Sequence, residues 1–138
     1  MCYQRKETYP LNIVFEYIFS NKEVKEDNSR KYHIFDGDRI SMTSIRYRVF
    51  KFVSYKCKDC GLVGEYFAKE RHHHPNSIDQ SYHFNLYGHN KNGDEIMLTK
   101  DHIKPKSFGG QNVLMNMECM CKKCNEKKGN EWNGHSGC

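Results

Sequence analysis

Two C-x-x-C pairs, Cys57/Cys60 and Cys121/Cys124, constrain what this chain can fold into more than any other feature. In such a pair the short turn presents backbone amides that offset thiolate charge, so both sulfurs can face one ion. Two pairs complete a tetrahedral four-sulfur shell, the closed arrangement of a structural zinc site. They lie about 60 residues apart, so a shared Zn²⁺ ties the middle of the chain to its C-terminal part and contributes directly to folding. One C-x-x-C alone equally suits a redox dithiol; two in one chain favour zinc. Cys119 sits beside the second pair but outside its spacing, and Cys2 and Cys138 read as bystanders.

Composition makes a staple useful. Only 37% of the 138 residues are hydrophobic and mean hydropathy is -0.90, so an apolar core is thin. The first apolar stretch, residues 11–19, is broken by Asn12 and Glu16 and has no basic leader, so no export signal is read. No run is long enough to span a membrane. With an odd number of cysteines, this points to reduced thiols and a cytoplasmic location. The net charge of +5 suits a polyanionic partner without identifying one.

The aromatic and β-branched residues of 11–19 favour a strand, with a helix using Leu11, Val14, Phe15 and Ile18 as the alternative. The charged run 21–30 reads as a loop. Residues 32–40 read as a hairpin around Asp36-Gly37, and Ser41 as the N-cap of a helix carrying Met42, Ile45, Val49, Phe52 and Val53. Arg46, Arg48 and Lys51 on that helix read as solvated rather than as a nucleic-acid edge. Residues 69–81, with His72-His73-His74, read as an ordinary loop. A second hairpin spans 82–98, turns at Asn90–Gly93, and runs directly into Asp101-His102.

The stretch that carries chemistry follows: Asp101-His102-Ile103-Lys104-Pro105, then Ser107-Phe108-Gly109-Gly110, Asn116, and Cys121-Lys122-Lys123-Cys124-Asn125-Glu126-Lys127-Lys128. This order resembles the HNH, or ββα-metal, endonuclease motif of small zinc-containing phage and bacterial nucleases. The resemblance is close over residues 96–129 and extends to the hairpin and the first cysteine pair. It implies an α+β fold: a ββα-metal core with a four-cysteine zinc staple and an N-terminal strand/helix extension. The expected organisation is an extension over 1–56 serving DNA binding or dimerisation, a zinc-stapled nuclease core over 57–132, and a tail over 133–138.

The resemblance implies a metal-dependent endonuclease acting on DNA, in the cytoplasm of a host cell if the chain is phage-encoded. Phosphodiester hydrolysis needs a deprotonated water and positive charge on the phosphate and leaving oxygens. His102 is the implied general base, since neutral imidazole accepts a proton near pH 7. Asp101, on the other face if the backbone is extended, and Asn125 are the implied metal ligands. Asn116 takes the place of the residue that braces the loop orienting His102, and Gly109 and Gly110 suit a sharp turn there. Many relatives have His where this chain has Asn125. An all-oxygen donor set favours Mg²⁺, or Mn²⁺, over softer ions. Lys104, Lys106, Lys122, Lys123, Lys127 and Lys128 could reach phosphates, though each singly reads as a solvated charge. The alternative function is a non-catalytic zinc-stabilised nucleic-acid-binding module. Oligomeric state stays open, a homodimer included.

Overall fold

The computed structural model describes residues 3–72 and 81–129. Strands β1 (Tyr3–Pro10), β4 (Tyr66–His72), β5 (His83–His89), β6 (Glu95–His102) and β7 (Met117–Cys121) form one sheet in the order β1-β4-β5-β6-β7. Every neighbouring pair is antiparallel. β2 (Tyr32–Phe35) and β3 (Asp38–Ser41) form a separate hairpin. The helices are short: α1 (Leu11–Phe15), α2 (Asn21–Glu26), α3 (Ile45–Arg48) continuing into a π turn at Val49–Val53, and α4 (Lys122–Lys128). The fold is α+β, and at its C-terminal end the antiparallel strands β6 and β7 lead directly into α4. No helix among the described residues is long and apolar enough to cross a membrane.

The hairpins form where turn chemistry predicts them. Asp36 and Gly37 both have positive φ (47° and 85°), the conformation a two-residue turn needs to match strand twist. In the β5–β6 turn the Asn90 side-chain oxygen accepts from the amides of Asn92 and Asp94, and Gly93 has φ 81°. This turn sets the β5–β6 register, in which Leu86 opposes Leu98; on the next strand Leu98 opposes Cys121. Side chains alternate along a strand, so Thr99 and Asp101 leave the face opposite to Leu98, each beside its β7 partner, Met120 or Glu118.

On the other face of the sheet, Phe67, Phe84, Leu86 and Leu98 join one core cluster. Val14 and Ile18, Phe35, Ile40 and Met42 of the β2–β3 region, and Tyr47, Val49 and Phe50 of the α3 region complete it. Complete burial of each such side chain contributes roughly 1.5–3 kcal/mol. The sheet, through β1, and the core both run across position 56, where the sequence suggests the end of an N-terminal extension.

Four local expectations are corrected. Residues 11–15 are helical, not a strand: Val14 and Ile18 lie one turn apart and both are sealed in the core. Residues 21–26 are a helix, not a loop, started by a capping box in which Ser20 Oγ accepts from the Glu23 amide (3.2 Å) and Glu23 Oε1 accepts from the Ser20 amide (3.0 Å). Ser41 caps no helix, because it pairs with Tyr32 across the hairpin; Ser44 is the cap, accepting from the Arg46 amide. Residues 69–72 continue β4. Lys69 and Glu70 look like loop residues in sequence, yet both are buried because each has partners. Lys69 Nζ donates to the Phe35 carbonyl (2.7 Å) and pairs with Glu7 and Asp38, while Glu70 accepts from Asn85, Tyr87 and Arg5. The α3-region cations are likewise engaged: Arg46, Arg48 and Lys51 donate to the carbonyls of Phe84, Phe19, and Phe15 and Ile18. His73, His74, Cys2 and Cys138 lie outside the described residues.

Candidate active site and metal centres

The two cysteine pairs meet. The sulfurs of Cys57, Cys60, Cys121 and Cys124 all lie within 4.8 Å of one another. Four sulfurs at about 2.3 Å from a common ion, arranged tetrahedrally, stand about 3.8 Å apart; those of Cys60 and Cys121 are separated by 3.7 Å. The first knuckle is closed by Gly61 N–H donating to the Cys57 carbonyl, and pinned to β7 by Lys58 N–H donating to the Cys119 carbonyl (2.9 Å). The second begins at Cys121, the N-cap of α4, whose sulfur accepts from the Cys124 amide (3.4 Å). Burial pushes the Cys57 thiol up, but the amides of Cys121, Cys60 and Asp59 outweigh it and bring the group down to about 7. Cys119 is pushed up to about 12 by burial and by the neighbouring Cys57 and Cys121, and it lies outside the cluster. The four-cysteine cluster can hold a metal such as zinc.

α4 starts at this cluster and crosses β6 and β7, so the thiols place the next helix residues over the end of β6. Asn125 Nδ2 donates to Thr99 Oγ1 (2.9 Å), and Thr99 Oγ1 in turn donates to the Met120 carbonyl (2.9 Å). The hydroxyl proton is committed to Met120, so its lone pair faces the amide nitrogen, and the oxygen of Asn125 is left as the acceptor. One turn further along α4, Lys128 Nζ sits 2.6 Å from Asp101 Oδ2. Thr99 and Asp101 are two residues apart on one face of β6, so Asp101 and Asn125 lie on the same side of the sheet.

His102, the last residue of β6, alternates to the other face. Its Nε2 is 2.6 Å from Asn112 Oδ1. An amide oxygen only accepts, so this bond places the proton on Nε2 and leaves the Nδ1 lone pair free. Asn116 ties the loop that follows: Oδ1 accepts from the Lys104 amide (2.8 Å), and Nδ2 donates to the carbonyls of Lys104 (3.0 Å) and Gln111 (2.9 Å). Its own carbonyl accepts from Ile103 N–H (2.8 Å). Gly109 turns the loop with φ 89°, and Gly110 packs so closely that a Cβ there would stand 1.6 Å from the Lys104 carbonyl oxygen.

Residues 90–137 match the sequence model of the HNH endonuclease family. This segment is of the HNH endonuclease family. The match supports a nuclease. No curated protein and no solved structure matches the chain.

The sequence reading misses four residues of this candidate site. Lys128, read as a solvated charge, is instead half-buried and ion-paired; its spacing of three from Asn125 is the available signal. Burial lowers its proton affinity, but the bond to Asp101 and the charges of Asp101 and Glu118 more than restore it. Thr99 could be found from its position two residues before Asp101. Glu118 comes into view only through the β6–β7 register, and Asn112 only through the path of the loop.

Proposed function

We propose that this chain is a divalent-metal-dependent endonuclease that hydrolyses DNA phosphodiester bonds. His102 is the general base, Asp101 and Asn125 are the protein ligands of the ion, and Asn116 braces the loop. The observation that carries this reading is the junction of β6 with α4, where Asp101 and Asn125 share one side while the His102 imidazole leaves the other. The residues suit such an ion. The donors are a carboxylate and an amide oxygen, hard ligands appropriate to Mg²⁺ or Mn²⁺, and the position beside Asp101 already accommodates positive charge, that of the Lys128 ammonium. When bound, the ion supplies charge stabilisation on the phosphate and the leaving 3′ oxygen.

The chain's own groups do the rest. His102 Nδ1 takes the proton of the attacking water, and the Nε2–H bond to Asn112 holds the ring in the tautomer that leaves Nδ1 free. As the ring becomes cationic, the Asn112 carbonyl dipole is already aimed at it. Thr99 orients Asn125, and Asn116 with Gly110 keeps the 103–112 loop from swinging His102 away. The four cysteines hold a structural zinc that anchors the start of α4. Residues 57–132 are the nuclease core in this reading, and 1–56 form an accessory part.

The experiment is plasmid cleavage in Mg²⁺, with EDTA and His102→Ala as controls. We expect EDTA to abolish cleavage and His102→Ala to slow it about 10²–10⁴-fold. Undiminished cleavage by His102→Ala contradicts the assignment. DNA retention in a gel shift without nicking under Mg²⁺ or Mn²⁺ points instead to a binding module.

A further inference from the structure

We infer that Lys128 is a built-in competitor for the divalent ion, and that Glu118 is a third oxygen donor facing the same position. The inference rests on Asp101 being a metal ligand, as proposed above. Lys128 Nζ is 2.6 Å from Asp101 Oδ2, 3.2 Å from the His102 carbonyl oxygen and 3.3 Å from Glu118 Oε1. An ammonium has three N–H donors and here meets three acceptors from two adjacent strands, so the side chain is held as a cation in an oxygen cage. Asp101 and Glu118 are direct cross-strand partners. Like charges so placed repel unless a cation stands between them. Glu118 is only 9% exposed, which makes its charge costly without compensation.

A second ammonium flanks the pair from outside. Lys58 Nζ is 2.8 Å from Glu118 Oε2, although off the direction of a hydrogen bond, so that oxygen is sealed from solvent with charge contact only. The four groups therefore alternate, Lys58–Glu118–Lys128–Asp101, and are neutral as a set. A divalent ion seated between Asp101 Oδ2 and Glu118 Oε1 cannot share that cage with the Lys128 ammonium at these distances. Its binding must expel Lys128, and the free energy of the Lys128 ion pairs is subtracted from the metal affinity. Once Lys128 has left, Glu118 Oε1 faces the vacated position across from Asp101. The lysine thus keeps the carboxylates compensated in the metal-free chain and makes the ion easier to lose.

The test measures metal binding directly, without turnover. Mn²⁺ is titrated into the zinc-loaded full-length protein and free Mn²⁺ is read by electron paramagnetic resonance. We expect Asp101→Asn to abolish tight binding, Lys128→Met to tighten it about tenfold or more, and Glu118→Gln in the Lys128→Met background to reverse most of that gain. If Asp101→Asn binds like the wild type, the metal assignment itself fails. If Asp101→Asn loses the ion but Lys128→Met binds no tighter, the competitor is overturned and the metal assignment stands. An unchanged affinity on adding Glu118→Gln removes Glu118 as a donor. A readout in the wild type guards against misfolded variants. The Lys128 ammonium resonance, sharp while caged, must vanish or move as Mg²⁺ saturates the site, and its persistence overturns the inference.

Discussion

Removing the first cysteine knuckle should convert the thiol cluster from a cross-link into a loose end. In the double variant Cys57→Ser/Cys60→Ser no ion can bridge to Cys121 and Cys124. Cys60 and Cys121 are 61 residues apart in sequence, and closing a loop of that size destabilises the unfolded chain by about 4 kcal/mol. That is a large part of the ~5–15 kcal/mol stability of an ordinary domain. With an unfolding entropy of about 2 cal/mol/K per residue, it corresponds to roughly 14 °C in Tm. The assay is thermal unfolding with zinc content measured on the same samples. Wild type should carry one zinc per chain, and wild type stripped by a chelator should melt near the double variant. Cys119→Ala is the control: its thiol is buried beside the cluster but outside it, so it should keep the zinc and lose only about 1 kcal/mol. The reasoning is refuted if chelated wild type melts within about 3 °C of the zinc-loaded protein, or if Cys119→Ala loses the metal.

Three other outcomes follow from particular contacts. Asn112→Leu removes the acceptor of His102 Nε2–H; DNA cleavage should slow on the order of tenfold at unchanged Tm, and an unaltered rate would show that the ring is held by something else. Ser20→Ala deletes one half of the capping box and should cost about 1 kcal/mol in urea unfolding, with Ser20→Thr retaining most of it. The hydrogen bonds from Lys6 and Lys69 hold the Asp38 carboxyl below its ordinary value of 3.8. A depressed carboxyl pKa adds stability that is fully present above the unfolded value and is lost as pH falls through the folded one. Tm should therefore drop below about pH 4, and Asp38→Asn should flatten that part of the Tm–pH curve.

Local chemistry made part of the fold legible. The Asp36-Gly37 and Asn90–Gly93 turns and the run of β6 into Asp101-His102 depend on backbone preferences or on residues a few positions apart, and each cysteine pair announces itself by its own C-x-x-C spacing although the two pairs meet across 61 residues. The same kind of signal was present but unread at Ser20–Glu23, where the capping box marks a helix inside a charged run. Elsewhere the sequence misleads for a physical reason. Lys69, Glu70 and Arg48 look solvated because a charged side chain is normally left in water, and only partners distant in the chain make their burial affordable.

What the sequence determined by itself was the chemistry on offer: four thiols with metal spacing, a carboxylate and an imidazole on consecutive residues of a strand, and a polar loop with the glycines to turn it. The tertiary structure decided how these are wired. The β6–β7 register set Glu118 against Asp101, the cysteine cluster fixed where α4 begins and so brought Asn125 to Thr99 and Lys128 to Asp101, and the loop path carried Asn112 to His102. Spacing along a strand or helix is set by the backbone's own period. Which period lands beside which is set by long-range pairing and packing, and no short window of residues contains that information.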